Sequence, residues 1–234
     1  MHIFYTPTLN SDTFILSEEE SRHCSKVLRL GIGDSVHLID GRGGLFEAEI
    51  SGLTKKNVQL KIISEQKEFG KRNHHLHIAV APTKNIDRLE WFLEKATEIG
   101  IDEITPLVCD RSERKIIKEE RLEKVITSAV KQSLTAYHPQ LNKATSFSDL
   151  IKKEFAGERL IAHCLDDLNK QFINDLVSKH QSYLILIGPE GDFSPAEVDV
   201  ALQNGYKPVT LGNTRLRTET AALAACFEVN YLNR

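Results

Sequence analysis

The rhythm of apolar and polar positions changes once along the chain, near residue 74. Before that point short segments alternate at the two-residue period of a half-buried strand: Ser35–Ile39, Leu45–Ile50 and Asn57–Ile63, the last in strict alternation. Asp40-Gly-Arg-Gly-Gly44 supplies the turn between the first two. Ser17-Glu-Glu-Glu20 has the form of a capping box and predicts a short helix running through Val27-Leu28, closed by Gly31 and Gly33. Together these elements predict a small antiparallel β unit over residues 1–70, a compact barrel. The polar run Glu65–Asn73 has linker composition and marks the boundary with a second domain over 74–234.

From His75 strands alternate with helices. Leu76–Val80 reads as a strand; Ile86, Leu89, Phe92, Leu93, Ala96 and Ile99 line one face of a helix that stops at Gly100. Glu103–Val108 is the next strand, Leu122, Val125, Ile126, Ala129 and Val130 mark the next helix face, and Arg159–Cys164 is a third strand. The alternation predicts a parallel sheet covered by helices on both faces.

Two strands close the pattern, each ending in glycine before a helix. Tyr183–Ile187 is a continuous apolar run, as suits a strand buried on both faces. Gly188-Pro189-Glu190-Gly191 has proline second and glycine fourth, the preferences of a type I turn. Ser194 as N-cap, Pro195 at the first helical position and Glu197 complete a capping box, with Phe193 and Val198 as its hydrophobic staple. The echo, Val209-Thr-Leu-Gly-Asn-Thr-Arg-Leu-Arg217, leads into a helix that Thr218-Glu-Thr220 can cap. Ligands of α/β sheets sit at the carboxyl ends of strands, so two such turns point to one crevice. The helix beyond, Ala221-Ala-Leu-Ala-Ala-Cys-Phe, is apolar nearly all round, which predicts burial on all sides by a cofactor, a second subunit or both.

Composition narrows the picture. A chain of 234 residues with 41% hydrophobic content holds one large domain or two smaller ones. No apolar run reaches membrane-spanning length and the first residues lack signal-peptide character, so a soluble cytoplasmic protein is expected. Cys24, Cys109, Cys164 and Cys226 are far apart and read as buried thiols, not as a disulfide framework or zinc site. His75 and His77 share a strand face with no cysteine or carboxylate to join them, so no metal is expected. A net charge of −3 confines nucleic-acid binding to local patches.

Two patches stand out. Arg22, Lys26 and Arg29 fall at i, i+4 and i+7 of the first helix, a face that favours RNA. Arg111, Arg114, Lys115, Lys118, Arg121 and Lys124 crowd the opening of a later helix, where interleaved Glu113, Glu119, Glu120 and Glu123 suit a solvated face as well as an RNA patch. Arg215 and Arg217 beside the second glycine turn offer cations to a carboxylate or phosphate. No phosphate-loop motif is present, and Gly31-Ile-Gly33 and Gly41-Arg-Gly-Gly44 lie between β elements, which disfavours NTP and NAD.

Val27-Leu-Arg-Leu30 with Gly33-Asp34, Asp40-Gly-Arg-Gly-Gly44, Ala96-Thr-Glu-Ile-Gly-Ile-Asp-Glu-Ile-Thr-Pro106, Leu186-Ile-Gly-Pro-Glu-Gly191, and Leu211-Gly212 with Leu216-Arg-Thr-Glu-Thr-Ala221, in this order along the chain, closely resemble the RsmE family. Those enzymes use S-adenosylmethionine to methylate N3 of a uridine in 16S ribosomal RNA, on the assembled small ribosomal subunit, and work as homodimers. The resemblance implies an N-terminal PUA-like β-barrel that helps hold RNA and a C-terminal SPOUT domain, an α/β fold with a parallel sheet and a trefoil knot. It places the cofactor against His163, Ile187, Gly188, Pro189, Glu190, Gly191, Leu211, Gly212, Leu216, Arg217 and Thr218. Arg217 would stabilise the uracil anion and Glu219 is a candidate proton acceptor or helix cap, with Arg22, Lys26, Arg29 and Arg114 on the RNA. Two departures are specific to this chain: Leu211-Gly-Asn-Thr-Arg215 replaces the family's Leu-Gly-Pro-Arg, and Leu134-Thr135 replaces its Gly-Arg. Two rival readings are a non-catalytic ribosome-assembly factor and a SPOUT enzyme acting on another nucleotide or on transfer RNA.

Overall fold

The structure, a computed structural model, describes residues 2–9, 11–54, 56–165 and 170–234. The chain divides into two compact units: Met1–Lys71 with Val130–His138, and Arg72–Ala129 with Pro139–Arg234.

In the first unit β1 (Ile3–Tyr5), β2 (Thr13–Ile15), β3 (Ser35–Ile39), β4 (Leu45–Leu53) and β5 (Val58–Gln66) form one sheet in the order β1-β3-β4-β5-β2. β1 pairs with β3 in parallel, so the unit is mixed and not purely antiparallel as expected. A three-residue strand carries too little pattern to be seen beforehand. Shifts of register between Glu47 and Ala48 and between Ile50 and Gly52 bend β4. Phe4, Val36, Leu38, Ile50, Val58 and Leu60 share one buried cluster with Cys24.

The expected helix after Ser17 reaches Val27 but changes character on the way. Ser17 accepts from the Glu20 amide at 3.2 Å and α1 spans Glu18–Arg22, but a π-helical turn follows at His23–Val27. The capping box is half made, because the Glu20 carboxylate binds Lys131 Nζ at 2.8 Å. The helix ends before the two glycines: Arg29 itself takes φ 58°. Arg22 and Lys26 therefore stand on the helical segment and Arg29 beyond it, all three exposed.

In the second unit the order is β6 (His75–Val80), α2 (Ile86–Ile99), β7 (Glu103–Val108), α3 (Glu119–Ser133), β8 (Gln140–Leu141), β9 (Thr145–Ser146), α4 (Phe147–Leu150) and β10 (Glu158–Ala162). Then come α5 (Ile173–Leu176), β11 (Ser182–Ile187), α6 (Pro195–Gln203), β12 (Lys207–Val209) and α7 (Thr218–Leu232). Strands run β12-β10-β11-β6-β7-β8, with β9 also on β7, and every pair is parallel. The strand order reverses at β10/β11, the kind of switch point where open α/β sheets form crevices. Helix limits follow local chemistry. Asn85 accepts from the Asp87 amide to start α2, and Gly100, at φ 121°, ends it.

α7 buries Ala222, Ala225, Cys226 and Val229 on one face, beside α2. Within this chain it is covered on that face alone, not all round: Phe227 is 49% exposed and stacks on Tyr231, 64% exposed, with the Arg234 guanidinium over both rings. Cys24, Cys109 and Cys226 are buried thiols, but Cys164 is exposed. Among the described residues no helix is long and apolar enough to cross a membrane.

Candidate functional site at the carboxyl edge of the parallel sheet

Each strand of the sheet delivers a loop to the same edge, and side chains of one loop satisfy the backbone of the next. After β11 the turn runs one residue later than expected: the Asp192 amide donates to the Pro189 carbonyl at 2.9 Å, and Asp192, not a glycine, takes the positive φ of 61°. Aspartate tolerates that conformation better than most residues. Asp192 Oδ2 then accepts from the Cys164 amide at 2.9 Å, which joins the loop after β10 to the loop after β11.

The capping box that opens α6 is complete, and it reaches further than its own helix. Ser194 and Glu197 exchange hydrogen bonds with each other's backbone, while Glu197 Oε1 accepts from the Asp110 amide at 2.9 Å and Ser194 Oγ donates to Asp110 Oδ2 at 2.9 Å. The loop after β7 is thereby fixed to the start of α6. Arg111 adds two more bonds, donating to the carbonyls of Gly191 at 3.0 Å and Phe193 at 3.3 Å. Arg114 donates to the carbonyls of Thr83 at 3.0 Å and Lys84 at 2.7 Å, and the Lys84 amide donates to Glu190 Oε1 at 2.8 Å.

After β12, Thr210 Oγ1 donates to the Gly212 carbonyl at 3.0 Å and Gly212 sits at φ 130°, a conformation that only glycine adopts without strain. α7 begins with Arg217 as N-cap and without a side-chain cap. The expected capping by Thr218 is not made. Its hydroxyl donates instead to the Gly188 carbonyl at 3.0 Å, tying the start of α7 to the end of β11.

Two adjoining cavities of about 400 and 260 Å³ lie among these loops and share Ala162, Cys164, Arg215, Leu216 and Ala221 as a common wall. Of the residues expected at a cofactor, His163, Leu211 and Gly212 line the first, Ile187, Gly188, Pro189, Glu190, Arg217 and Thr218 line the second, and Leu216 lines both. Gly191 lines neither; a Cβ there would lie 3.4 Å from the Cβ of Arg111. Arg215, expected with Arg217 to offer a cation to a ligand, lines both cavities, whereas Cys164, Lys170 and Asp192 were not expected there; the available signal for Cys164 and Asp192 was their place in the loops that follow β10 and β11.

The walls combine apolar surface (Ile187, Leu211, Leu216) with cations (Lys170, Arg215, Arg217) and carboxylates (Glu190, Asp192). Such a lining suits an elongated ligand with an apolar ring system and a zwitterionic end. Lys170 Nζ donates to the His163 carbonyl at 3.2 Å, and His163 Nδ1 accepts from the Leu165 amide at 3.2 Å. Glu219 lies outside the cavity walls; its side chain is 9% exposed, Oε1 faces Arg88 Nε at 3.8 Å, and Oε2 is buried without a hydrogen-bond partner. Of the RNA candidates Arg22, Lys26 and Arg29 belong to the first unit, and Arg114 is engaged by backbone carbonyls. Among the described residues no group of three or more His, Cys, Asp or Glu is placed to hold a metal ion.

Comparison with known proteins agrees with this architecture. A family model described as an RNA methyltransferase domain matches residues 71–230, and one described as an RNA methyltransferase PUA domain matches residues 16–63. The chain is 31% identical to ribosomal RNA small subunit methyltransferase E of Rickettsia conorii, over 95% of this chain and 91% of that one. It is 28% identical to the protein of the same name from Bacillus subtilis, over 94% and 90%. Among solved structures it is similar to a probable rRNA-methyltransferase from Porphyromonas gingivalis, with TM-score 0.93, 41% identity and coverage of 100% and 98%. The ribosomal RNA small subunit methyltransferase E from Neisseria gonorrhoeae bound to S-adenosyl methionine superposes with TM-score 0.86 at 27% identity, covering 100% and 98%.

Proposed function

The chain belongs to the family of ribosomal RNA small subunit methyltransferase E, and we propose that it methylates N3 of one uridine in 16S ribosomal RNA with S-adenosylmethionine, acting on the assembled small subunit in the cytoplasm. The observation that carries the reading is the pair of adjoining cavities, lined by ten of the eleven residues that the family resemblance assigns to the cofactor.

S-adenosylmethionine supplies a methyl group on a positively charged sulfur. The chain's part is to hold that donor and present the base. Ile187, Leu211 and Leu216 offer apolar surface to the adenine, and the mixed charges of Lys170, Arg215, Glu190 and Asp192 suit the amino-acid end. Gly212 keeps the wall low, since a Cβ there would project into open space from a backbone at φ 130°. Placing the two reacting atoms in line supplies much of the rate in such a transfer.

N3 of uracil carries an imide proton that must leave. Arg217, exposed on the wall of the second cavity, stabilises the negative charge left on the uracil oxygens. Glu219 is the proton acceptor in this reading, as the carboxylate two residues after Arg217 in the first turn of α7. Arg22, Lys26 and Arg29 bind RNA phosphates from the first unit. The molecule acts as a homodimer that covers the exposed aromatic face of α7, which Phe227 and Tyr231 support. A knotted carboxyl end belongs to the same reading, as the family resemblance implies. Calorimetry with S-adenosylmethionine tests the cofactor seat directly: absence of binding to the folded protein would overturn it.

A further inference from the structure

Six cations crowd the segment from Arg111 to Lys124, and the structure divides them into two sets of three. Arg111 and Arg114 are spent on backbone carbonyls, and Arg121 pairs with Asp87 at 3.1 Å and with Glu90. Lys115, Lys118 and Lys124 are exposed and make no ion pair or side-chain hydrogen bond among the described residues. Between the first two stands Ile116, 84% exposed, more than any other large apolar side chain among the described residues.

Lys118, Arg121, Lys124, Val125 and Ser128 recur at helical spacing along one face at the start of α3, and with Glu120 they form a shallow trough of about 450 Å³. Nearby carboxylates are largely committed. Glu113 pairs with Lys84 at 2.9 Å, Glu119 accepts from the Ala144 amide at 3.4 Å, and Asp87 and Glu90 face Arg121. Glu120 lines the trough beside Lys124, so the excess of ammonium groups lies at the tip, where Lys115 and Lys118 flank the apolar Ile116. That combination fits nucleic acid, with phosphates on the lysines and a base face on Ile116 or Val125. An acidic protein surface would satisfy the lysines but gives the isolated, fully presented Ile116 no apolar pocket. The loop is also held in register with the reaction site, because Arg111 pins it to Gly191, directly after the residues that wall the second cavity.

We propose that the Lys115–Lys118 tip and the trough on α3 bind the single-stranded RNA flanking the target uridine. The lysines take phosphates and Ile116 packs against an unstacked base. This rests on the RNA-methyltransferase reading and gives the second unit its own RNA contact, distinct from Arg22, Lys26 and Arg29.

The test compares wild type, the triple variant Lys115→Ala, Lys118→Ala, Lys124→Ala, the triple lysine-to-arginine variant, and Ile116→Ser. Each is measured for binding to small ribosomal subunits that lack the methyl group and to a labelled oligouridylate across a salt series, after calorimetry with S-adenosylmethionine. The alanine variant is expected to keep cofactor affinity, lose tenfold or more in RNA affinity near 0.1 M salt, and lower the slope of log K against log salt by about 2, from three contacts at roughly 0.7 each on a single strand. The arginine variant should retain the wild-type slope. Ile116→Ser should weaken binding severalfold with the slope unchanged. RNA affinity of the alanine variant within twofold of wild type, with the slope unaltered, would overturn the inference and leave the enzyme reading standing. A wild type that binds RNA but transfers no methyl group would sink the enzyme reading, while the affinity comparison still decides this one.

Discussion

The Thr218 hydroxyl donates to the Gly188 carbonyl at 3.0 Å, so the first residue of α7 is held by the residue that follows β11, thirty positions earlier. This bond holds the start of α7 against the glycine turn, and Arg217 lines one cavity with Gly188, Pro189 and Glu190. Thr218→Val would leave a buried carbonyl unpaired, at a cost of about 1 to 3 kcal/mol. The variant is expected to melt at lower temperature and bind S-adenosylmethionine more weakly, whereas Thr218→Ser keeps both near wild type. Scanning calorimetry with and without ligand checks the pair.

Gly212 and Gly191 separate a cofactor wall from a loop brace. Gly212→Val places a branched side chain at φ 130°, a strain of about 1 to 3 kcal/mol, and projects it into the cavity. It should abolish cofactor heat in titration while the fold survives. Gly191→Ala meets only the Arg111 side chain at 3.4 Å and should leave the cofactor dissociation constant within a few-fold of wild type.

The exposed face of α7 gives a dimer prediction that its buried face cannot. Ala225 is fully buried inside this chain, so Ala225→Glu tests folding. Phe227→Glu with Tyr231→Glu alters the outer face alone. Light scattering should show wild type at twice the chain mass and the double variant at the chain mass, still folded; a monomeric wild type at micromolar concentration contradicts the dimer.

Acid should destabilise the second unit through His77. Burial lowers its pKa from 6.5 to about 4, outweighing the nearby Glu103 carboxylate, which lies 3.6 Å from Nδ1 and acts to raise it. Because the folded protein resists protonation here more than the unfolded chain does, the neutral ring's contribution is complete above about pH 6.5. It is lost as pH falls toward 4, a change on the order of 3 kcal/mol. His77→Leu should show a shallower fall of melting temperature between pH 7 and pH 4.

Elements governed by local chemistry were legible beforehand. Gly100 ends α2 and the Ser194–Glu197 box opens α6 where expected, because caps act within one turn of the chain. What depended on tertiary partners was hidden. The turn after β11 shifted by one residue because Asp192 could take positive φ and reach the Cys164 amide. Arg111 and Arg114 looked like surface cations, yet the carbonyls they satisfy come from loops distant in sequence. Val130–His138 belong to the first unit although α3 runs on through Ser133, and nothing in a helical period reports where such a division falls. The even apolar character of α7 said that something covers every side, and only the fold separated the face buried within the chain from the face it leaves exposed.

Glu219 separates base catalysis from binding. Glu219→Gln keeps the side chain's size and removes its charge, so kcat should fall at least tenfold with cofactor affinity unchanged. Equal losses in both would make Glu219 an anchor of α7 to Arg88, and unchanged kcat would remove it from the reaction.

The central claim is methyl transfer to one uridine of small-subunit RNA. Purified protein and methyl-labelled S-adenosylmethionine are incubated with small ribosomal subunits lacking the modification, with naked 16S ribosomal RNA and with transfer RNA, and the product is mapped by reverse-transcription stops and mass spectrometry. The account predicts one N3-methyluridine in 16S ribosomal RNA, formed faster on the assembled subunit than on naked RNA. Label on transfer RNA, on a ribose or on another base, or no label from a protein that binds the cofactor, would contradict it.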